Sequence, residues 1–143
     1  MTPQKQLNRH DPENGVLGDC YRTVIACLLD LKPEEVPHVH EHVGALNMQD
    51  QQDIMGAWLA GRGLVEVCVP CDGKVDLEHV LEIMARWSMG TRYMLTGQSR
   101  TGCNHVVICR GAEIEWDPSL NDSGIVGPAD DGYYWFAFLG NRV

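Results

Sequence analysis

Three residues of this sequence carry side chains that could together break a covalent bond: Cys20, His105 and Asp117. Deprotonated cysteine is a nucleophile, an imidazole can take and return a proton, and a carboxylate can hold that imidazole in one tautomer. Cys20 directly follows Asp19, a good N-cap. It opens the stretch Cys20-Tyr-Arg-Thr-Val-Ile-Ala-Cys-Leu-Leu-Asp-Leu31, which is apolar at Cys20, Val24, Leu28 and Leu31. That spacing predicts one face of a helix, ended by Lys32-Pro33. Unpaired N–H groups and the positive end of the dipole in a first helical turn favour an anionic sulfur, so Cys20 is a candidate nucleophile. A second reading stays open, in which Cys20 is simply the first residue of the buried stripe.

The other two residues lie close together in sequence. Asn104-His-Val-Val-Ile-Cys-Arg-Gly-Ala-Glu-Ile-Glu-Trp-Asp-Pro118 reads as a hairpin turning at Gly111. With the turn centred there, His105 pairs with Asp117, Val107 with Glu115, and Cys109 with Glu113. Directly opposed residues share a face, so His105 and Asp117 become neighbours. Val106, Ile108, Ile114 and Trp116 then form the core side, and His105 sits on the polar one. The competing reading makes His105 an ordinary surface histidine, and a one-residue shift of the turn would flip every face.

The elements around these residues follow from spacing. Pro33 to Pro37 reads as a short helical turn and a loop. A second helix is expected from Asn47, its cap, to Ala60, with Ile54, Met55, Trp58 and Leu59 as its stripe and Gly61 and Gly63 closing it. Leu64 to Val69 is a short β run. Asp76 caps a third helix that buries Leu77, Val80, Leu81 and Met84. Strands are expected at Arg92 to Thr96, Asn104 to Arg110, Ala112 to Trp116 and Tyr133 to Leu139. Helices first and an antiparallel sheet afterwards predict an α+β fold, as a single domain over residues 1–143.

Size and charge narrow the classes of function. A chain of 143 residues is one domain's worth and needs no metal or disulfide to fold. With 11 Lys and Arg against 20 Asp and Glu the net charge is −9, which disfavours nucleic acid as a partner. No apolar run reaches membrane-span length, and the polar N-terminus lacks a signal-peptide core. A cytoplasmic protein with reduced thiols is therefore expected, most of its six cysteines acting as small core residues.

A cysteine at a helix start, followed by His and Asp on adjacent strands, is the layout of a cysteine hydrolase. Taken with Glu35-Val-Pro-His38, Asn104-His-Val-Val and Trp116-Asp-Pro-Ser119, the Gly18-Asp-Cys20 helix resembles the papain-like cysteine peptidase fold. The likeness is to the small papain-like proteins often encoded by tailed phages. It implies a nucleophile helix packed on a C-terminal antiparallel sheet, with Cys20 as nucleophile, His105 as base and acid, and Asp117 orienting His105. The papain pattern carries an oxyanion-binding Gln about six residues before the nucleophile. Here Asn14 stands in that place, with an amide on a shorter side chain. Asp19, His38 and Asn104 are candidate cleft-lining residues. The resemblance implies hydrolysis of an amide bond in a protein, peptide or small molecule, without a cofactor, in the host cytoplasm if the gene is a phage's. Two competing functions are a non-catalytic module that sequesters a host protein or a nucleotide signal, and an enzyme that degrades such a signal.

Other patterns carry less. Cys68-Val-Pro-Cys71 lies on a β run and has no second pair of ligands at zinc spacing, so a structural role is expected. His38, His40 and His42 would share one face if extended, yet a polar loop near the cleft is expected rather than a metal site. Gly97-Gln-Ser-Arg-Thr-Gly-Cys103 lacks the ending of a phosphate loop and reads either as an ordinary connection or as a cleft-lining loop whose end delivers His105.

Overall fold

The chain, described over residues 1–41 and 44–143 in a computed structural model, places helices mainly before strands. Its elements are α1 (Cys20–Leu29), α2 (Met48–Ala60), β1 (Leu64–Asp72), α3 (Leu77–Trp87), β2 (Tyr93–Gln98), β3 (Asn104–Arg110), β4 (Glu113–Trp116) and β5 (Tyr133–Asn141). The five strands form one sheet in the order β1-β5-β2-β3-β4. β2 runs antiparallel to β3 and β5, and β3 to β4. The protein is α+β.

Contacts divide the chain into two units whose segments interleave along the sequence. The first comprises Met1–Glu66, Pro118–Leu120 and Leu139–Val143, and the second Val67–Asp117 and Asn121–Phe138.

In the first unit, α1 buries Thr23, Val24, Ile25, Ala26 and Cys27 in succession. The narrow stripe expected at Cys20, Val24, Leu28 and Leu31 is replaced by burial nearly all round the helix, as befits a helix inside a core. Cys20 is half-buried. The N-terminal segment lies along this helix: the Thr2 N–H donates to the Cys27 carbonyl at 3.0 Å and the Gln4 N–H to Cys27 Sγ at 3.3 Å. The helix ends on Asp30 in the left-handed conformation, φ 58°, whose N–H returns to the Ala26 and Cys27 carbonyls. Asn47 caps α2 by accepting from the Asp50 N–H at 2.9 Å. Of the expected α2 stripe, Met55 and Leu59 are buried and Ile54 is exposed.

In the second unit, α3 covers one face of the sheet. Val80 joins Tyr93, Leu95, Val107, Cys109, Ile125, Tyr134 and Phe136 in one core, with Leu77, Leu81 and Met84 packed at its edge. Each large side chain fully buried there contributes about 1.5–3 kcal/mol. The helical spacing read from the sequence therefore holds for α3.

The hairpin of β3 and β4 departs from expectation in two ways. Its register is Arg110↔Glu113, Cys109↔Ile114 and Ile108↔Trp116, with an irregularity between Ile108 and Cys109. The turn is thus the two residues Gly111 and Ala112, and an extra residue in β4, Glu115, bulges the ladder. His105 and Asp117 are not opposed in register. Nor is the His105 face polar, since Val107 and Cys109 on that face are fully buried under α3. β3 is an inner strand, and its run His-Val-Val-Ile-Cys is buried on both faces. Ile114, expected in the core, lies on the edge strand β4 and is 38 % exposed.

Candidate active site

The second unit brings His105 and Asp117 together despite the altered register. His105 Nε2 lies 2.7 Å from Asp117 Oδ1, and both side chains are about nine-tenths buried, at 7 % and 11 % exposure. A carboxylate can only accept, so Nε2 carries the hydrogen. β4 stops at Trp116, and Asp117, the next residue, reaches His105 although the two are not opposed in register. The second carboxylate oxygen, Oδ2, accepts from the Gly124 N–H at 2.7 Å. Two donors on one buried carboxylate stabilise its charge and fix its plane.

Opposite His105 on β2 stands Gly97. A Cβ there would lie 2.5 Å from the Gly127 carbonyl oxygen and 2.7 Å from Ile125 Cγ2. Only glycine lets the 125–127 segment cross β2 beside the histidine. That segment is pinned by the Val126 N–H to the Gln98 carbonyl and the Gln98 N–H to the Gly127 carbonyl, both 2.8 Å. Asn104 is exposed and exchanges two hydrogen bonds with Asp130: Nδ2 donates to Oδ1 at 2.8 Å, and the Asp130 N–H donates to Oδ1 of Asn104 at 2.9 Å. It fastens the loop before β5.

Cys20 belongs to the first unit, at the first position of α1. Asp19 occupies the N-cap position, but its carboxylate makes no capping bond to the helix. The carboxylate is fully buried instead, accepting from the Asn8 N–H at 2.8 Å and from Arg22 Nε at 3.0 Å. The Asp19 carbonyl accepts from the Thr23 hydroxyl at 2.8 Å. Asp19 is thus fixed on both sides of the chain next to Cys20.

Asn14 ends an exposed 3-10 turn, Pro12–Asn14, and its Nδ2 donates to Asp11 Oδ2 at 2.7 Å. A residue that sequence spacing passed over lies deeper. Gln6 is buried, donates its backbone N–H to the Pro118 carbonyl at 2.8 Å and its Nε2 to the Asn8 carbonyl at 2.8 Å, and leaves Oε1 buried without a hydrogen-bond partner among the described residues. Its Nε2 is 3.5 Å from where a Cβ on Gly18 would stand, so the amide lies beside the segment leading into Cys20. Cys20 lies fourteen positions further along the chain, and the hairpin-like bridge Asp11↔Val16 loops out much of that interval. No local motif could reveal this.

Ionisable groups of the first unit surround α1. Burial, with the Arg22 charge adding to it, pushes His38 down, and burial together with His38 pushes His40 down. The His40 ring meets Tyr21 edge-on at 5.8 Å, and the Tyr21 hydroxyl donates to Glu66 Oε2 at 2.6 Å. Burial raises the Glu66 carboxyl above the usual range, against the pull of that hydroxyl. His42 lies outside the described residues. Among the described residues no three His, Cys, Asp or Glu side chains are placed to hold a metal ion.

The remaining cysteines divide by environment. Cys68 is exposed on β1 whereas Cys71 packs against the core of the second unit, since residues three apart on a strand face opposite ways. Burial pushes the Cys109 thiol up to about 12 and also raises that of Cys27. No described helix is long and apolar enough to cross a membrane. The chain was compared with family models, curated proteins and solved structures, and none matches it.

Proposed function

We propose that the protein is a thiol-dependent hydrolase of amide bonds, with a papain-like arrangement of Cys20, His105 and Asp117. The observation that carries this reading is the buried His105–Asp117 pair, 2.7 Å apart, on a sheet in a chain whose α1 begins with a half-buried cysteine. A histidine held at Nε2 by a carboxylate that is itself anchored by a backbone N–H is built for proton transfer at Nδ1. An ordinary surface histidine has no use for that arrangement.

In the proposed reaction His105 Nδ1 takes the Cys20 proton and the sulfur attacks the substrate carbonyl. The developing oxyanion is held by the Cys20 backbone N–H and a side-chain amide. Gln6 suits that role better than Asn14, because a buried amide fixed beside Gly18 needs no rearrangement, whereas the Asn14 amide is exposed and bound to Asp11. The imidazolium then gives its proton to the departing amine, leaving a thioester on Cys20. A water molecule, deprotonated by His105, hydrolyses that thioester and restores the thiol. Asp117 stays ionised throughout and stabilises the imidazolium.

The test is turnover by the full chain and by Cys20→Ala on a panel of fluorogenic peptide, isopeptide and side-chain amides. The parent protein should release fluorophore and Cys20→Ala should release none, with unchanged circular dichroism. Equal release from a well-folded Cys20→Ala would remove the catalytic role. A variant that keeps the protein's biological effect in full would leave a sequestering module in its place.

A further inference from the structure

The carboxylate of Asp117 owes its second hydrogen bond to a turn that the sequence does not announce. Asp122 and Gly124 both have left-handed backbone, at φ 47° and 63°, with Ser123 between them. A non-glycine residue in that region is uncommon, and a backbone that changes hand residue by residue sends carbonyls to one side and N–H groups to the other. On the N–H side, Gly124 donates to Asp117 Oδ2 at 2.7 Å. On the carbonyl side lies Arg100. Its Nε donates to the Ser123 carbonyl at 3.2 Å, and its Nη2 to the Asp122 carbonyl at 2.5 Å and the Asn121 carbonyl at 3.5 Å. The Arg100 backbone N–H also donates to the Ser123 carbonyl, at 3.2 Å. One planar guanidinium therefore gathers three successive carbonyls, a task that suits its fixed fork of donors.

Arg100 stands on the loop between β2 and β3, the same loop that leads into His105. The loop is closed on itself by the Ser99 N–H to the Cys103 carbonyl and the Gly102 N–H to the Ser99 carbonyl, both 2.9 Å. Arg100 is thereby tied by the chain to the histidine and by hydrogen bonds to the turn that holds the aspartate. All of these residues belong to the second unit.

We infer that Arg100 is a positioning residue for the His105–Asp117 pair: by clamping the carbonyls of the 121–123 turn it presents the Gly124 N–H to Asp117 and so fixes the carboxylate that orients the imidazole. This inference rests on the proposed function for its catalytic meaning, but its geometry does not involve Cys20. The natural readout is the His105 Nε2 proton, which is held between ring and carboxylate and should give a deshielded resonance in proton NMR. Its exchange with water reports how firmly Asp117 is held.

The experiment uses the full chain in a Cys20→Ala background and compares parent, Arg100→Lys and Arg100→Met. The proton should exchange at least about tenfold faster in Arg100→Met, because removing the clamp frees the turn, with Arg100→Lys between the two. Amide exchange of Leu95 and Val107 should stay at the parental rate, which separates loss of positioning from general unfolding. Parental exchange of the His105 proton in a folded Arg100→Met would overturn the inference, as would acceleration matched by the core amides. If Arg100→Met does not fold, Arg100→Lys decides: about threefold faster exchange supports the clamp, and parental exchange overturns it. An inert Cys20 in the parent chain would sink the hydrolase reading while leaving this result untouched.

Discussion

The candidate residues of the two units are built on opposite principles. In the second unit, His105 and Asp117 are about nine-tenths buried, joined at 2.7 Å, and backed by a core of Leu95, Val107 and Phe136. In the first unit, Cys20 is half-buried at a helix start, and the rigid element is its neighbour Asp19, locked between Asn8 and Arg22. The His105–Asp117 pair is fixed by interior packing, whereas Cys20 stands at the start of a helix beside the buried Asp19. A proton relay loses efficiency when its hydrogen bond wanders, while a nucleophile must stay open to the molecule it attacks.

Asp117→Asn should break the fixed half most severely. Asp117 accepts from two donors, His105 Nε2 and the Gly124 N–H, and an asparagine has one acceptor oxygen to offer them. The substitution is therefore not a neutral replacement. One buried donor loses its partner, at a cost of about 1–3 kcal/mol by chemical denaturation. Loss of the negative charge should also move the His105 titration, followed by NMR, to lower pH, and lower turnover by at least about 100-fold. Parental turnover would show that the pair is structural.

Gly97→Ala attacks the same half from the side. Its Cβ would press on the Gly127 carbonyl and Ile125, and backbone cannot step aside cheaply. A loss of about 1–3 kcal/mol is expected, read as a lowered denaturation midpoint. The His105 Nε2 resonance should shift as the 124–127 segment moves.

The smallest effect belongs to the first unit. Burial raises the Glu66 carboxyl, so the folded state holds that proton more tightly than the unfolded chain. Its favourable contribution is whole below the usual carboxylate range and is lost as pH rises through the folded titration. Glu66→Gln should remove that slope, so its stability relative to the parent should improve between about pH 4 and pH 7. Urea titrations at the two pH values check the sign.

Much of this molecule is legible in its sequence, for identifiable reasons. The α3 spacing Leu77, Val80, Leu81, Met84 meets a single sheet face, so helical periodicity and burial coincide. α1 is buried over Thr23 to Cys27, and its stripe misleads because a helix enclosed on several sides has no one apolar face. The contact between His105 and Asp117 is correct although its derivation is not. The bulge at Glu115 shifts the register, yet Asp117, just past the end of β4, still reaches His105. Gly124, Arg100 and Gln6 are beyond reach of sequence pattern, because each acts through backbone groups or across a looped-out segment, and none of the three leaves a periodic trace.

The proposed function requires Cys20 and His105 to act together, and competitive alkylation tests that requirement most directly. The full chain is treated with limiting iodoacetamide at mildly acidic pH, and the label on each of the six cysteines is measured by mass spectrometry. Exposure alone favours Cys68, the exposed thiol on β1, while Cys27 and Cys109 are protected by burial. The proposed function predicts that half-buried Cys20 is labelled first in the parent and falls behind Cys68 in His105→Ala. Labelling of Cys68 ahead of Cys20 in the parent, or an unchanged Cys20 rate in a folded His105→Ala, would contradict it.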